Sequence, residues 1–231
     1  MNRIGIIGGI GPESTIAYYT LLIKRFKEKL GTKDYPEVLI HSINMTEMLT
    51  YAFNGQQDIL VKFLESKISV LERSGVDYVA LASNTPHLVY DELARTVNVQ
   101  MISIVEETCK AISEMGIHKV GLFGTKSTMG NGFYQRKGKE FNIEIVVPSN
   151  SQQNFIHSKY MDELVYNIIH PETKKTLIEI VNELVKHKKI EGLILGGTEL
   201  PFVLNQKDFQ GLKIIDTTAI HIEAILDKMI N

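Results

Sequence analysis

Short apolar runs alternate with longer amphipathic stretches along the whole chain. Residues 3–8, 37–43 and 77–81 read as strands, and 191–195 repeats the last of these as Gly192-Leu193-Ile194-Leu195. Between the first two, Pro12 with Ser14 and Thr15 opens a helix expected to run to about Leu30 and stop at Gly31, because proline suits a first helical turn and glycine a C-terminal stop. Residues 59–74 form an amphipathic helix. The second half repeats the order: a strand at 118–123, a helix near 129–138, a strand at 142–147, and helices near 154–168 and 172–187. Regular β-α alternation predicts an α/β fold with parallel sheets.

The repetition reaches individual residues. Ile4-Gly5-Ile6-Ile7-Gly8 with Ser14-Thr15 and Tyr18-Tyr19 recurs as Val120-Gly121-Leu122-Phe123-Gly124 with Ser127-Thr128 and Phe133-Tyr134. Ile102-Ser103-Ile104-Val105-Glu106 recurs as Lys213-Ile214-Ile215-Asp216-Thr217. Two segments carry the chemistry, Ala82-Ser83-Asn84-Thr85-Pro86-His87 and Gly196-Gly197-Thr198-Glu199-Leu200-Pro201. Each follows a buried strand and ends in small polar residues and a helix signal. Parallel sheets bind ligands at such strand ends. Asn84-Thr85 and Thr198-Glu199 are therefore placed to hold an anion, such as a carboxylate, on free N–H groups. Ordinary helix capping is the alternative. Two matching loops in a duplicated chain favour the carboxylate, and a duplicated chain can face two such loops across one cleft.

Gly8-Gly9-Ile10-Gly11 is neither Gly-x-Gly-x-x-Gly nor a P-loop, and the second strand ends in Ser42-Ile43-Asn44 rather than an acidic residue, which argues against a dinucleotide. The glycines instead let backbone approach a small ligand, with Ser14 and Thr15 beside it. The seven histidines show no ligand-type spacing with Cys or carboxylates, so no metal is expected. His87 falls inside the first loop and is a candidate to orient it. Lys159 and Tyr160 read as the start of a helix; Lys159 is the one candidate cation for a ligand carboxylate, against the more ordinary reading of a solvated lysine.

Gly8-Gly9-Ile10-Gly11-Pro12-Glu13-Ser14-Thr15 resembles the opening of aspartate/glutamate racemases. The two loops resemble that family's catalytic segments, which usually read Cys-Asn-Thr-x-His and Gly-Cys-Thr-Glu, and Asp216-Thr217-Thr218 also fits. The resemblance spans nearly the whole chain. It implies two similar αβα subdomains, 1–105 plus 212–231 and 106–211, with the last strand and helix packing back on the first. It further implies cofactor-independent racemisation of an acidic amino acid and a homodimer. On the matching positions, Ser83 and Gly197 stand where the family's catalytic Cys pair stands. The resemblance further implies that Gly9, Ser14, Thr15, Asn84, Thr85, Thr125, Thr128, Lys159, Thr198 and Glu199 surround the substrate.

Those two replacements change the chemistry. Two-base racemisation removes the Cα proton on one face and delivers one on the other. A thiol ionises near neutral pH; an alcohol does not, and glycine has no side chain. Each missing base removes about 10²–10⁴-fold. Three explanations stand: a racemase whose cysteines were substituted in the laboratory, a natural relative that binds a small amino acid or dicarboxylate without racemising it, and a relative running decarboxylation or C–N cleavage.

Composition narrows the class. Hydrophobic residues at 44% and 25 Lys and Arg against 27 Asp and Glu describe an ordinary globular chain without a basic block, which excludes a nucleic-acid binder by charge. No apolar stretch approaches the ~20 residues of a membrane span, and Gly-Gly-Ile-Gly-Pro interrupts any secretory h-region. The single Cys109 lies in a helical stretch outside both loops; it reads as structural and fits a reducing cytoplasm.

Overall fold

The structure, a computed structural model, describes all 231 residues. In chain order the elements are β1 (Ile4–Gly8), α1 (Pro12–Leu30), β2 (Val38–Ser42), α2 (Met45–Phe53), α3 (Gln57–Arg73), β3 (Tyr78–Leu81), α4 (Tyr90–Thr96), β4 (Gln100–Ile102) and α5 (Ile104–Glu114). They continue with β5 (Lys119–Gly124), α6 (Lys126–Gly130), α7 (Phe133–Glu140), β6 (Glu144–Val146), α8 (Asn150–Asp162), α9 (Pro171–Lys188), β7 (Gly192–Gly196), α10 (Leu200–Val203), β8 (Lys213–Asp216) and α11 (Thr217–Ile230). The chain divides into two compact units, Met1–Glu107 with Thr218–Asn231 and Thr108–Thr217. Each holds one parallel four-stranded sheet, in the orders β2-β1-β3-β4 and β6-β5-β7-β8. The two orders are the same path drawn twice.

In the first unit β1 is buried along its length and shows two faces. Ile4 and Ile6 pack with Tyr18, Leu22 and Phe26 of α1 and with Ile222, Ile225, Leu226 and Met229 of α11. Ile7 points the other way, towards Leu60, Leu64, Ile68 and Leu71 of α3. This is the period-two alternation of a strand with helices on both sides. Gly5 lies on the α3 face, where a Cβ would stand 2.9 Å from Leu71 Cδ1. Helix α1 begins at Pro12 and ends on Gly31, whose φ of 60° is left-handed.

Helix α11 joins this unit through burial. Each large apolar side chain it covers contributes roughly 1.5–3 kcal/mol, whereas its exposed ion pairs, Asp227 and Glu223 with Lys29 and Glu223 with Arg25, contribute about 1 kcal/mol each at most. One polar connection is buried with it. Tyr18 donates to Nδ1 of His221 at 2.9 Å, and His221 Nε2 donates to the Ile102 carbonyl at 3.0 Å.

The last strand does not return with the helix, contrary to what the resemblance implied. β8 pairs with β7 in the second sheet, Leu193 opposite Ile214 and Leu195 opposite Asp216. The missing side chain of Gly192 makes room for Ile215, whose Cδ1 would stand 2.9 Å from a Cβ there. Helix α8 also starts earlier than expected. Ser149 and Gln152 form a reciprocal capping box, which satisfies two otherwise orphaned N–H groups. Lys159 and Tyr160 therefore lie near the end of that helix, not at its start.

Candidate functional site

In both sheets the chain leaves the first strand towards one edge and returns on the other side, so the topological switch point falls between β1 and β3, and again between β5 and β7. Ligand crevices of open α/β sheets form there, beyond the carboxyl ends of the strands. The sequence puts its polar loops at those ends.

In the first unit Ala82 donates to the Ile7 carbonyl at 2.9 Å, which brings the loop after β3 beside the glycine turn after β1. That turn is organised from within. Thr15 Oγ1 accepts the Gly9 N–H at 2.7 Å and donates to the Gly11 carbonyl at 3.2 Å. Gly9 needs its lack of side chain: φ is 81°, and a Cβ would stand 2.5 Å from the Ile43 carbonyl oxygen. Thr15 is thus engaged in loop structure, while Ser14 beside it is fully buried.

The loop after β3 is buried throughout, with Ser83 at 8%, Asn84 at 2% and Thr85 at 4% exposure. His87 fixes it. Its Nδ1 faces the Ser83 carbonyl at 3.0 Å and its Nε2 receives the Ile104 N–H at 3.3 Å. A carbonyl only accepts and an amide only donates, so the ring is the neutral Nδ1–H tautomer. Tyr90 stacks on it, centroids 5.1 Å apart. Burial first, then the nearby His221, lowers the His87 pKa to about 3. His87 orients the loop, and it bonds the backbone of Ser83 rather than its hydroxyl. No side-chain or backbone group of the protein bonds that hydroxyl, and no adjacent base activates it.

The second unit repeats the scaffold with different side chains. Thr128 packs against Gly124, where a Cβ would stand 2.9 Å from its Cγ2, much as Thr15 packs against Gly8. Thr125 caps the short α6 by accepting the Thr128 N–H at 3.2 Å, and the two hydroxyls lie 3.0 Å apart. After β7, Thr198 Oγ1 donates to Oε2 of Glu199 at 2.8 Å. The hydroxyl of Tyr160, reaching in from α8, donates to the same carboxylate oxygen. Glu199 is only 2% exposed, so these donors replace water. Burial, followed by the Glu199 charge, holds the Tyr160 phenol well above its ordinary pKa.

Lys159 sits one residue away but turns elsewhere. It pairs with Glu163, whose other oxygen accepts from Thr173 at 2.7 Å. Burial alone would raise the Glu163 pKa; the bonds from Lys159 and Thr173 outweigh it and lower it. The expected helix starts are shorter than anticipated. The first loop enters a five-residue 3-10 turn, Thr85–Val89, and the second the four-residue α10. Elements this short carry little macrodipole, so any anion here is held by individual N–H and hydroxyl groups.

Within each unit, the structure brings the predicted residues to the carboxyl end of the two central strands: Gly9, Thr15, Ser83, Asn84 and Thr85 in the first, Thr125, Thr128, Gly197, Thr198 and Glu199 in the second. Sequence reasoning missed the part Tyr160 plays in the second set. Its helical spacing with Gln153 and Ile156, the buried face of α8, was the available signal. No group of three or more His, Cys, Asp or Glu side chains converges as a metal site.

Two parallel αβα units of identical strand order, with loops of this composition at both switch points, define a doubled α/β scaffold. A family model, Asp/Glu/hydantoin racemase, matches residues 7–225. The chain is 29% identical over 223 residues to the broad specificity amino-acid racemase RacX of Bacillus subtilis, covering 94% of this chain and 93% of that one. It is 24% identical over 196 residues to the glutamate racemase of Aquifex pyrophilus, covering 80% and 70%. Among solved structures, PH1733 of Pyrococcus horikoshii, an aspartate racemase homologue, superposes with a TM-score of 0.84 at 35% identity over the full length of both chains. The chain belongs to the Asp/Glu/hydantoin racemase family.

Proposed function

We propose that this chain is an amino-acid racemase scaffold of the aspartate/glutamate type, working without a cofactor, that holds a small acidic amino acid and exchanges its α-proton slowly or not at all. Asn84 and Thr85 in the first unit, and Thr198 in the second, are the groups each loop offers to a ligand carboxylate, and Ser83 and Gly197 occupy the positions of the family's two thiols. The same reading includes a homodimer in a reducing cytoplasm, consistent with a single buried Cys109. One observation carries the impaired chemistry: the only imidazole in the first loop has both ring nitrogens committed to backbone. Ser83 therefore has no base to make it an alkoxide. Gly197 offers none either.

The second reading, a binding protein for the same ligands, is favoured by the filled space beside Gly197 and differs only in whether any turnover remains. Both are tested on the protein as it stands. Melting is followed against L- and D-aspartate, L- and D-glutamate and small dicarboxylates, with proton NMR in D₂O reporting loss of the Cα proton. Binding raises Tm with ligand concentration, and exchange is absent or slow. A flat Tm across all ligands overturns both readings. Rapid exchange shows that another group is the base.

A further inference from the structure

Gly197 is not glycine for the sake of its backbone, since its φ is not among the left-handed ones. It is crowded. A Cβ at 197 would stand 2.9 Å from both Cζ and Oη of Tyr160, and closer still to Cε2. Real Cβ atoms do not approach side chains so nearly, and the ring has no easy retreat. It lies on the buried face of α8 beside Ile156, and its hydroxyl is tied to Glu199, which Thr198 also holds.

We propose that Tyr160 takes the room of the side chain absent at 197, and that Gly197 and Tyr160 are a matched pair which sets the chemistry of the second loop. A phenol, committed as a donor to the Glu199 carboxylate, stands where a two-base scheme requires a group that ionises near neutral pH. Tyr160 is thereby the residue that keeps this position from carrying a base. The first loop has no counterpart: Ser83 keeps its side chain, and its hydroxyl has no partner. This rests on the proposed function and deepens it by naming what must change before a thiol at 197 can work. A simple exchange of Gly197 for Cys drives sulfur-bearing carbon into the ring, so restoring the thiol alone does not restore the site.

The test is a double-mutant cycle read by melting. Gly197→Cys and the milder Gly197→Ala are expected to lower Tm by roughly 5–10 °C, as overpacking in a domain of this size does. In a Tyr160→Ala background the same changes cost less than about 2 °C, because the room is then empty. Equal losses in both backgrounds overturn the pair. If Gly197→Cys is too unstable to isolate, recovery of folded Gly197→Cys/Tyr160→Ala supports the pair, and loss of that double variant overturns it.

Exchange of the Cα proton is the second readout. Ser83→Cys/Gly197→Cys/Tyr160→Ala is expected to exchange aspartate or glutamate at least about 10²-fold faster than Ser83→Cys/Gly197→Cys, one base's worth. Coupled melting without exchange keeps the matched pair and sinks the racemase reading. Exchange in the triple variant with uncoupled melting does the reverse.

Discussion

The two units share a strand order and place a polar loop at the carboxyl end of the same central strand, yet they secure those loops by different means. In the first, His87 stacks on Tyr90, bonds the Ser83 carbonyl and the Ile104 amide, and leaves the Ser83 side chain in place. In the second, a carboxylate gathers hydroxyls from Thr198 and Tyr160, and position 197 is a glycine with the Tyr160 ring against it. A duplicated fold preserves the position of a loop because strand pairing sets it. It does not preserve the groups that hold the loop, since these come from distant elements free to change. The difference is therefore chemical: the first loop is locked by a titratable ring kept neutral, the second by an anion kept solvated by hydroxyls.

Acid separates the two most strongly. His87, with its pKa lowered to about 3, and His221, lowered to about 4, are both neutral in the fold because burial opposes their charge. In the unfolded chain both protonate near 6.5. Below that pH the unfolded state binds more protons, so stability falls as pH drops, by up to about 1.4 kcal/mol per pH unit for each ring. The loss stops growing near pH 4 for His221 and near pH 3 for His87. The titratable groups beside them are each other, Tyr18 on His221 and Tyr90 on His87, with Glu106, Asp91 and Glu107 acting on Tyr90 beyond. In the second unit His157 is lowered only as a half-buried ring, by burial and then Lys126. Its lowered carboxyls, Glu163 and Asp208, matter only as pH falls through the carboxylate range, where burial is outweighed by Lys159 and Lys174 respectively. Between pH 6.5 and 5, amide exchange should accelerate in β1 and β3 well before β5 and β7. Parallel acceleration of both sheets would contradict the two buried neutral histidines.

Removing the hydroxyl of Tyr160 probes the other lock. Tyr160→Phe keeps the ring, so the crowding at Gly197 persists, but Glu199 loses a donor in a place water does not reach. An unsatisfied buried acceptor costs about 1–3 kcal/mol, to be read as a lower urea midpoint at pH 7. An unchanged midpoint would mean that Thr198 and the remaining partners of Glu199 suffice.

How far the sequence shows this contrast depends on how locally each feature is encoded. Helix α1 is legible end to end because its signals, Pro12 and Gly31, are adjacent to what they control. The loop positions are legible because strand, small polar residues and turn follow one another. The start of α8 was equally local, in Ser149 and Gln152, but four residues of polar sequence hid it. The lock on His87 was half legible: the loop contains the ring, but the Ile104 amide comes from 17 residues further on. Tyr160 beside Gly197 was not legible, since only the packing of α8 against the second unit's sheet, over β5, brings them together. The placement of β8 differs from what the resemblance implied for a related reason. A strand and the helix after it need not share a sheet, and here the chain passes between units at Thr217.

The smallest effect separates the two threonines that fill matching places beside Gly8 and Gly124. Thr15→Val removes an acceptor from the Gly9 N–H and a donor from the Gly11 carbonyl, and nothing local replaces either. The cost should be about 1–2 kcal/mol, with Gly9 held at φ 81° only by its surroundings. Thr128→Val keeps the methyl against Gly124 and leaves its own N–H bonded to Thr125 Oγ1. It loses a single hydroxyl contact, which Thr125 can redirect, so it should cost less than about 1 kcal/mol. Urea midpoints of the two variants rank them. The order Thr15 above Thr128 follows if the hydroxyl at 15 organises the turn. The reverse order would mean that the glycine turn holds its shape without Thr15, leaving that hydroxyl available to a ligand.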